Sequence, residues 1–288
     1  MITGYQDRAN RSWDLETRRV VKTVIQEQGI TEGVYSPDGK LLLTGGFKNE
    51  IFLWDAKTLD LLAGVETGHE KNMSVAFSPD GKRMASGAWD GSVSIWNAET
   101  REKIRELPQQ ELVIGGLAFS PDGELLATAT GNLRQNQKPG NVKLWNVKTG
   151  EEVASLPGPV RKMRQVRFSP DGRTLIAGGS QTELLVYDVP NRKLTGRLAI
   201  GSETSCAAFL PDSRTLVIGR FDGKVELWNV ESRQRVANCE GHTQSENEEN
   251  RYIFDVAVSA DGSVMASAGA DGHVKLWPAS ALTGRGHP

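Results

Sequence analysis

Few side chains in this sequence could carry out catalysis or bind a metal ion. Of its four histidines, His69 and His242 are the candidate catalytic bases. The two cysteines, Cys206 and Cys239, lie far apart in the sequence, so we expect no metal site. The glycine-rich phosphate-binding, nucleophile-elbow and metalloprotease motifs are missing. We therefore expect no catalytic residue, no metal and no cofactor, and we predict that the protein is not an enzyme.

A repeated turn sequence shows which elements would position these residues. Ser-Pro-Asp-Gly stands at 36–39, 78–81, 120–123 and 169–172, with altered copies at 210–213 and 259–262. An aromatic residue follows the start of each turn, by 18 positions in five copies and by 25 in the copy at 120–123. With one more aromatic residue in the same register, the seven anchors are Trp13, Trp54, Trp96, Trp145, Tyr187, Trp228 and Trp277. A period of roughly 40 residues is typical of repeat proteins.

Each repeat is predicted to form four short β-strands. In the repeat around Trp96, the candidate strands are 74–77, 83–87, 93–96 and 101–107. Proline and glycine fix the turn between the first two strands, and Asp-Gly between alternating runs predicts a hairpin between the next two. No stretch shows a sustained helical period, so the predicted fold class is all-β. Such a unit is too small to bury both faces alone, which favours radial stacking of the units.

These residues resemble the WD-repeat β-propeller family. Gly68-His69 precedes Trp96-Asn97 by about 27 residues, and Gly241-His242 precedes Trp277, as in that family's Gly-His and Trp-Asp pairs. The resemblance covers residues 3–277. It implies a propeller of four-stranded antiparallel blades, with residues 1–288 as a single domain and 278–288 as a tail.

The resemblance also implies a buried hydrogen-bond chain of His, hydroxyl, Asp and Trp within a blade. Two repeats match this pattern, with the sets His69, Ser86, Asp90 and Trp96, and His242, Ser267, Asp271 and Trp277. Because an indole only donates and a carboxylate only accepts, a histidine between them can satisfy the whole set. We expect both sets to be structural, and we expect looser packing in the repeats that lack the histidine.

The sequence leaves two blade numbers open. Trp13 keeps the register of a third strand, which favours a seven-bladed type with an incomplete first blade. In the alternative, a closed six-bladed propeller, the segment after Trp13 would supply the outer strand of the last blade.

Two long loops indicate where a partner would bind. One lies around residues 132–139 and includes Arg134, and the other, at 243–251, is acidic. In the family's topology both loops emerge on one face. The same face would carry three aromatic residues that stand seven positions before an anchor, Phe47, Trp89 and Phe221, with Arg164 and Arg220 as a polar rim. These are residue types that dominate protein interfaces, although packing under a neighbouring loop would explain the rings equally well.

Composition narrows the class of partner. The chain has 288 residues, and 34 Lys and Arg oppose 36 Asp and Glu, so there is no basic field for nucleic acid. No apolar run is long enough for a membrane span, and the charged N-terminal residues do not form a signal peptide. We predict a cytoplasmic, non-catalytic scaffold that binds other proteins or peptides and neither nucleic acid nor membrane. The alternative is a regulatory or sensor propeller domain of a larger enzyme chain, a kinase or nucleotide hydrolase.

Overall fold

A computed structural model describes residues 2–4, 9–14, 17, 19–25, 29–131, 139–158, 163–179, 182–239, 241–242 and 252–278. These residues form β-strands joined by turns, and none of them is in a helix. The prediction of an all-β fold is therefore confirmed. In the part of the chain that is described, no helix has the length and apolar character needed to cross a membrane.

The chain divides into two compact units, residues 1–130 with 143–153 and residues 131–142 with 154–288. The prediction of a single domain over 1–288 stays a prediction. The first unit begins with a three-stranded sheet of β1 (Ile2–Gly4), β2 (Ala9–Asp14) and β3 (Arg19–Ile25). Two four-stranded sheets follow, of β4 (Ile30–Tyr35), β5 (Leu41–Gly46), β6 (Glu50–Asp55) and β7 (Leu61–Glu66), and of β8 (Asn72–Phe77), β9 (Arg83–Ala88), β10 (Val93–Asn97) and β11 (Lys103–Glu106).

The remaining sheets repeat this order. Next along the chain are β12 (Val113–Phe119), β13 (Leu125–Gly131), β14 (Asn141–Asn146) and β15 (Glu152–Pro157). The second unit contains the sheet of β16 (Met163–Phe168), β17 (Thr174–Gly179), β18 (Glu183–Asp188) and β19 (Lys193–Ala199). It also contains the sheet of β20 (Thr204–Phe209), β21 (Thr215–Arg220), β22 (Val225–Asn229) and β23 (Gln234–Cys239), and the three-stranded sheet of β24 (Ile253–Val258), β25 (Val264–Gly269) and β26 (Val274–Pro278).

The Ser-Pro-Asp-Gly sequence forms the turn between the first and second strands of a sheet. In the copy that joins β4 to β5, the Ser36 hydroxyl donates to Asp38 at 2.6 Å, and the amide of Gly39 donates to the Ser36 carbonyl at 2.8 Å. Gly39 has a φ of +70°, which glycine adopts without steric cost. Hydrogen bonds, first from Ser36, lower the pKa of Asp38, so its carboxylate stays ionised and holds the turn.

Five of the seven aromatic anchors follow an irregularity in the pairing of their strand with the next strand along the chain. The register shifts between Leu53 and Trp54 and between Ile95 and Trp96, and the same shift occurs at three further anchors. A β-bulge of this kind redirects a side chain. Trp96 packs into a buried cluster with Leu43 and Leu53 of the preceding sheet, so the hydrophobic core lies between neighbouring sheets.

Strand order corrects the blade number. Counted in sequence order from β3, the strands form six sets of four, which are offset by one strand from the sheets. The last strand of each set carries one of the six anchors from Trp54 to Trp277. The prediction of a seven-bladed type was therefore wrong, and the number of sets agrees with the six-bladed alternative. Trp13 suggested a seventh blade because its strand has the backbone register of an anchor strand, with a shift between Ser12 and Trp13. However, only β1 and part of β2 precede it in the chain.

Candidate interaction site

The second predicted set of four residues forms a continuous buried network. The Trp277 indole donates to the Ser267 hydroxyl at 3.0 Å, which lies 2.9 Å from Nε2 of His242. Nδ1 of His242 lies 2.8 Å from Asp271. Burial lowers the pKa of His242, although its bond to Asp271 opposes this effect, and a neutral ring can donate from Nδ1 and accept at Nε2.

This network has the residue types of a hydrolase triad, but its geometry is structural. His242 and Ser267 are both buried, and the oxygen that would attack a substrate is already bonded to Trp277. A nucleophile must reach the reacting carbonyl, and this hydroxyl has no open side for one. The network therefore joins β25, β26 and the segment around His242.

The first predicted set is divided into two pairs. The Trp96 indole donates to Ser86 at 2.9 Å, as expected. His69 does not reach Ser86 and turns toward two carboxylates, with Nδ1 3.2 Å from Asp90 and Nε2 3.6 Å from Glu106. The expectation of one continuous chain through all four residues is therefore not met here.

In repeats without the histidine, the polar group of the anchor has other hydrogen-bond partners. The Trp145 indole donates to the Thr128 hydroxyl at 3.0 Å, and this hydroxyl donates in turn to Gln110 at 3.1 Å. The hydroxyl of Tyr187 donates to the Pro157 carbonyl at 2.8 Å. Trp145 and Tyr187 are 1% and 0% exposed, so the expectation of looser packing in these repeats was wrong.

A buried carboxylate replaces the hydroxyl in the repeat of Trp228. Glu226 is fully buried, accepts the Trp228 indole hydrogen at 2.8 Å and pairs with Arg220 at 2.5 Å and Arg235 at 3.0 Å. Arg220 also pairs with Asp222 at 2.7 Å, and its side chain is only 11% exposed. These internal pairs do not support the expectation that Arg220 offers its guanidinium to a partner. Sequence reasoning missed Glu226, because its role requires the adjacent arginine.

The first unit carries two of the aromatic residues that were predicted to bind a partner. Phe47 follows the end of β5 and is 54% exposed. Trp89 follows the end of β9 and is half-buried, with Nζ of Lys71 4.9 Å from the centre of its ring. The side chain of Asn72 donates to the carbonyl of Lys48 at 3.0 Å, which fixes the turn after Phe47.

The second unit carries the third predicted aromatic residue in a larger cluster. The Phe221 ring stacks on Tyr252, with centroids 5.7 Å apart, and Tyr252 meets Phe254 edge-on at 4.8 Å. The guanidinium carbon of Arg164 lies 5.3 Å from the centre of the Phe221 ring. We call Arg164, Phe221, Tyr252 and Phe254 the aromatic stack. Sequence reasoning missed Tyr252 and Phe254, which lie just before and within β24, where the pairing with β25 has an irregularity between Ile253 and Asp255.

Part of the predicted site lies outside the described residues. Arg134 falls in residues 132–138, and nearly all of the acidic loop falls in 243–251. Their role in binding stays a prediction.

Comparison with known proteins agrees with this geometry. The family model described as "WD domain, G-beta repeat" matches residues 21–55, 62–97, 101–146, 150–188, 191–229 and 233–278. The chain belongs to the WD40 family. Its fold is therefore an all-β WD-repeat β-propeller with four-stranded antiparallel blades, and the six matched repeats correspond to the six strand sets that begin at β3.

The relatives that match parts of this chain are longer proteins. Small ribosomal subunit protein RACK1y of Oryza sativa subsp. japonica is 40% identical over 75 residues, which is 25% of this chain and 20% of that protein. Apoptotic protease-activating factor 1 of Homo sapiens is 27% identical over 100 residues, 34% of this chain and 8% of that protein. The periodic tryptophan protein 2 homolog of Schizosaccharomyces pombe is 26% identical over 119 residues, 36% of this chain and 14% of that protein. The matches thus span a fifth or less of these relatives.

Proposed function

We propose that this WD40 protein is a non-catalytic scaffold that binds other proteins through aromatic residues placed at the ends of second strands. The exposure of Phe47 beside a rigid sheet is the observation that carries the proposal. An exposed phenylalanine does not contribute to the core, and aromatic rings on a rigid support supply much of the binding energy in protein interfaces. The proposed contact residues are Phe47, Trp89, Phe221 and Arg164.

Trp89 fits the same role by its geometry. Its amide donates to the carbonyl of Lys71 at 3.0 Å, and the ammonium group of Lys71 lies over its ring. These two contacts fix the ring while leaving part of it open to solvent. A partner that covers the ring would bury apolar area without having to order the side chain first, which limits the entropic cost of binding.

The class of partner follows from the family and from the buried network. WD40 proteins generally bind proteins, and the network around Ser267 leaves no open nucleophile, so we propose a protein or peptide partner and no catalysis. We also propose a cytoplasmic location. One matched relative is named as a ribosomal subunit protein, so the exclusion of nucleic acid and membrane stays a prediction.

The test is capture of partners by the whole chain from extract, with quantification of the proteins that bind. We expect Phe47→Ala and Trp89→Ala each to reduce the amount of a reproducibly captured protein about tenfold. Leu61→Ala is the matched control, because Leu61 is an equally exposed apolar residue on the outer strand β7. Capture that is unchanged in both aromatic variants, with loss of stability in Trp89→Ala, would show that the rings have only a packing role.

A second candidate is a regulatory or sensor domain within a longer enzyme chain, a kinase or nucleotide hydrolase. It is supported by the length of the matched relatives, of which the human apoptotic protease-activating factor 1 match covers 8%. Sequencing of the transcript would test it. An upstream or downstream catalytic domain in the same reading frame would favour this candidate, and a stop codon on both sides would exclude it.

A further inference from the structure

The aromatic stack holds a cation over an aromatic ring. Arg164 is exposed on β16, and its guanidinium carbon lies 5.3 Å from the centre of the Phe221 ring. Two contacts fix Phe221, because its amide donates to the Glu203 carbonyl at 3.0 Å and its ring stacks on Tyr252. Cation–π contact of this kind orients a guanidinium without using its N–H donors.

The N–H donors of Arg164 are not used by the residues that the structure describes. In the described part of the chain, Arg164 makes no hydrogen bond and no ion pair within 4.0 Å. Burial lowers the pKa of Arg164, and the charge of Glu203 opposes this effect without forming a direct ion pair. Arg220 is the contrast, since two carboxylates occupy its guanidinium. Arg164 therefore presents up to five N–H donors to solvent in a fixed orientation.

The charge of the adjacent sequence indicates the chemistry of a ligand. Along the chain, residues 161–167 hold three cations besides Arg164 and no acidic residue, while Glu203 is an acidic group that acts on Arg164. A planar guanidinium is suited to bidentate binding of a carboxylate. The half-buried rings of Phe221 and Tyr252 beside it are suited to an apolar or aromatic side chain.

We propose that the aromatic stack binds an acidic segment of a partner protein, with a carboxylate on Arg164 and a neighbouring aromatic side chain on Phe221 and Tyr252. This inference rests on the proposed scaffold function and names the chemistry of one partner. Single-stranded nucleic acid also uses stacked rings and arginines. Because WD40 proteins generally bind proteins, we favour the peptide.

The experiment is fluorescence anisotropy with the full chain and a short labelled peptide of Glu and Gly that carries one central Phe. Three further probes are a peptide with Ala in place of Phe, a peptide with Lys in place of Glu, and a short single-stranded oligo-dT. We expect binding of the acidic Phe peptide only, weakened about tenfold by Arg164→Gln. Raising NaCl from ~50 to ~300 mM should weaken the binding of the acidic Phe peptide to the unaltered chain.

Two more variants separate binding from folding. Phe221→Leu keeps apolar volume and should also weaken binding about tenfold, because the flat ring is lost. Arg197→Ala, an exposed arginine on β19 paired with Glu183, is the matched control and should bind like the unaltered chain. Thermal unfolding of every variant should stay close to that of the unaltered protein.

The proposal is overturned if the acidic Phe peptide does not bind, if Arg164→Gln and Phe221→Leu bind it normally, or if oligo-dT binds more tightly. The scaffold function survives that result as long as Phe47→Ala and Trp89→Ala still reduce partner capture. If Phe47→Ala and Trp89→Ala do not reduce partner capture while the acidic Phe peptide still binds, the proposed binding role of the first unit is disproved.

Discussion

The carboxylate of Glu226 accepts the indole hydrogen of Trp228 at 2.8 Å, although the two residues stand only two positions apart on β22. In other repeats the acceptor is a hydroxyl on the second strand, such as Thr44 for Trp54. The matching position before Trp228 is Ile218, which has no acceptor. A charged group on the anchor's own strand thus takes over the role of a neutral group on the neighbouring strand.

Removing this carboxylate should be costly. Glu226→Ala leaves Arg220 largely buried with one of its two partners gone, and it leaves the Trp228 indole without an acceptor. We expect the free energy of unfolding to fall by about 3–5 kcal/mol. Urea denaturation monitored by tryptophan fluorescence measures it. Arg235→Ala, which removes the half-exposed partner of Glu226, should cost less than about 1 kcal/mol. Equal losses in the two variants would contradict the role given to Glu226.

His242 should make stability depend on pH. Burial lowers its folded pKa below the ordinary value of 6.5, so the unfolded chain binds a proton more readily than the folded chain. The contribution of the neutral His242 to the free energy of unfolding is complete above about pH 6.5, and it is lost as the pH falls from there toward the folded pKa. Unfolding free energies at several pH values between 5 and 8 should fall on the acid side, and His242→Gln should flatten that part of the curve. The exposed His273→Gln serves as the control, and an unchanged slope in His242→Gln would disprove the assignment.

The hydroxyl of Tyr187 should stabilise the repeat in which Ala177 stands at the position that carries the acceptor hydroxyl in other repeats. Tyr187→Phe removes the hydrogen bond to the Pro157 carbonyl and leaves that oxygen without this donor. We expect a loss of about 1 kcal/mol in urea denaturation. Tyr35→Phe, at an exposed tyrosine, should leave stability nearly unchanged. A Tyr187→Phe variant as stable as the original protein would show that the ring alone suffices.

Two glycines with similar backbone conformation should respond differently to substitution. Gly91 has a φ of +89°, and a Cβ there would meet the carbonyl oxygen of Gln110. Gly39 has a φ of +70°, and a Cβ there would have no atom within 4 Å. Gly39→Ala should therefore cost about 1–2 kcal/mol from the left-handed conformation alone. Gly91→Ala should cost clearly more in the same denaturation assay, and equal costs would mean that the loop around Gln110 moves freely.

Much of the fold could be predicted because its determinants are local. The Ser-Pro-Asp-Gly turn is closed by bonds among neighbouring residues, such as that from Ser36 to Asp38, so a short string of sequence specifies a hairpin. The network of His242, Ser267, Asp271 and Trp277 could also be transferred from the family pattern, since all four residue types are present.

The errors arose where a side chain had a choice of partners. His69 has the expected type and position and meets Asp90 as expected, yet its Nε2 lies near Glu106 and not near Ser86. Arg220 stands beside an aromatic residue of the predicted surface, but its partners are Asp222 and Glu226, and sequence spacing alone does not reveal this. Such competition depends on the orientation of side chains across strands.

The packing of each indole against the preceding sheet has a consequence for protein engineering. Trp96 completes a cluster that contains Leu43, and Trp145 completes one that contains Ile95. The matched repeat 62–97 contributes to both clusters, through Trp96 to the first and through Ile95 to the second. A repeat transferred into another propeller would therefore have to match an apolar seam on each of its two sides.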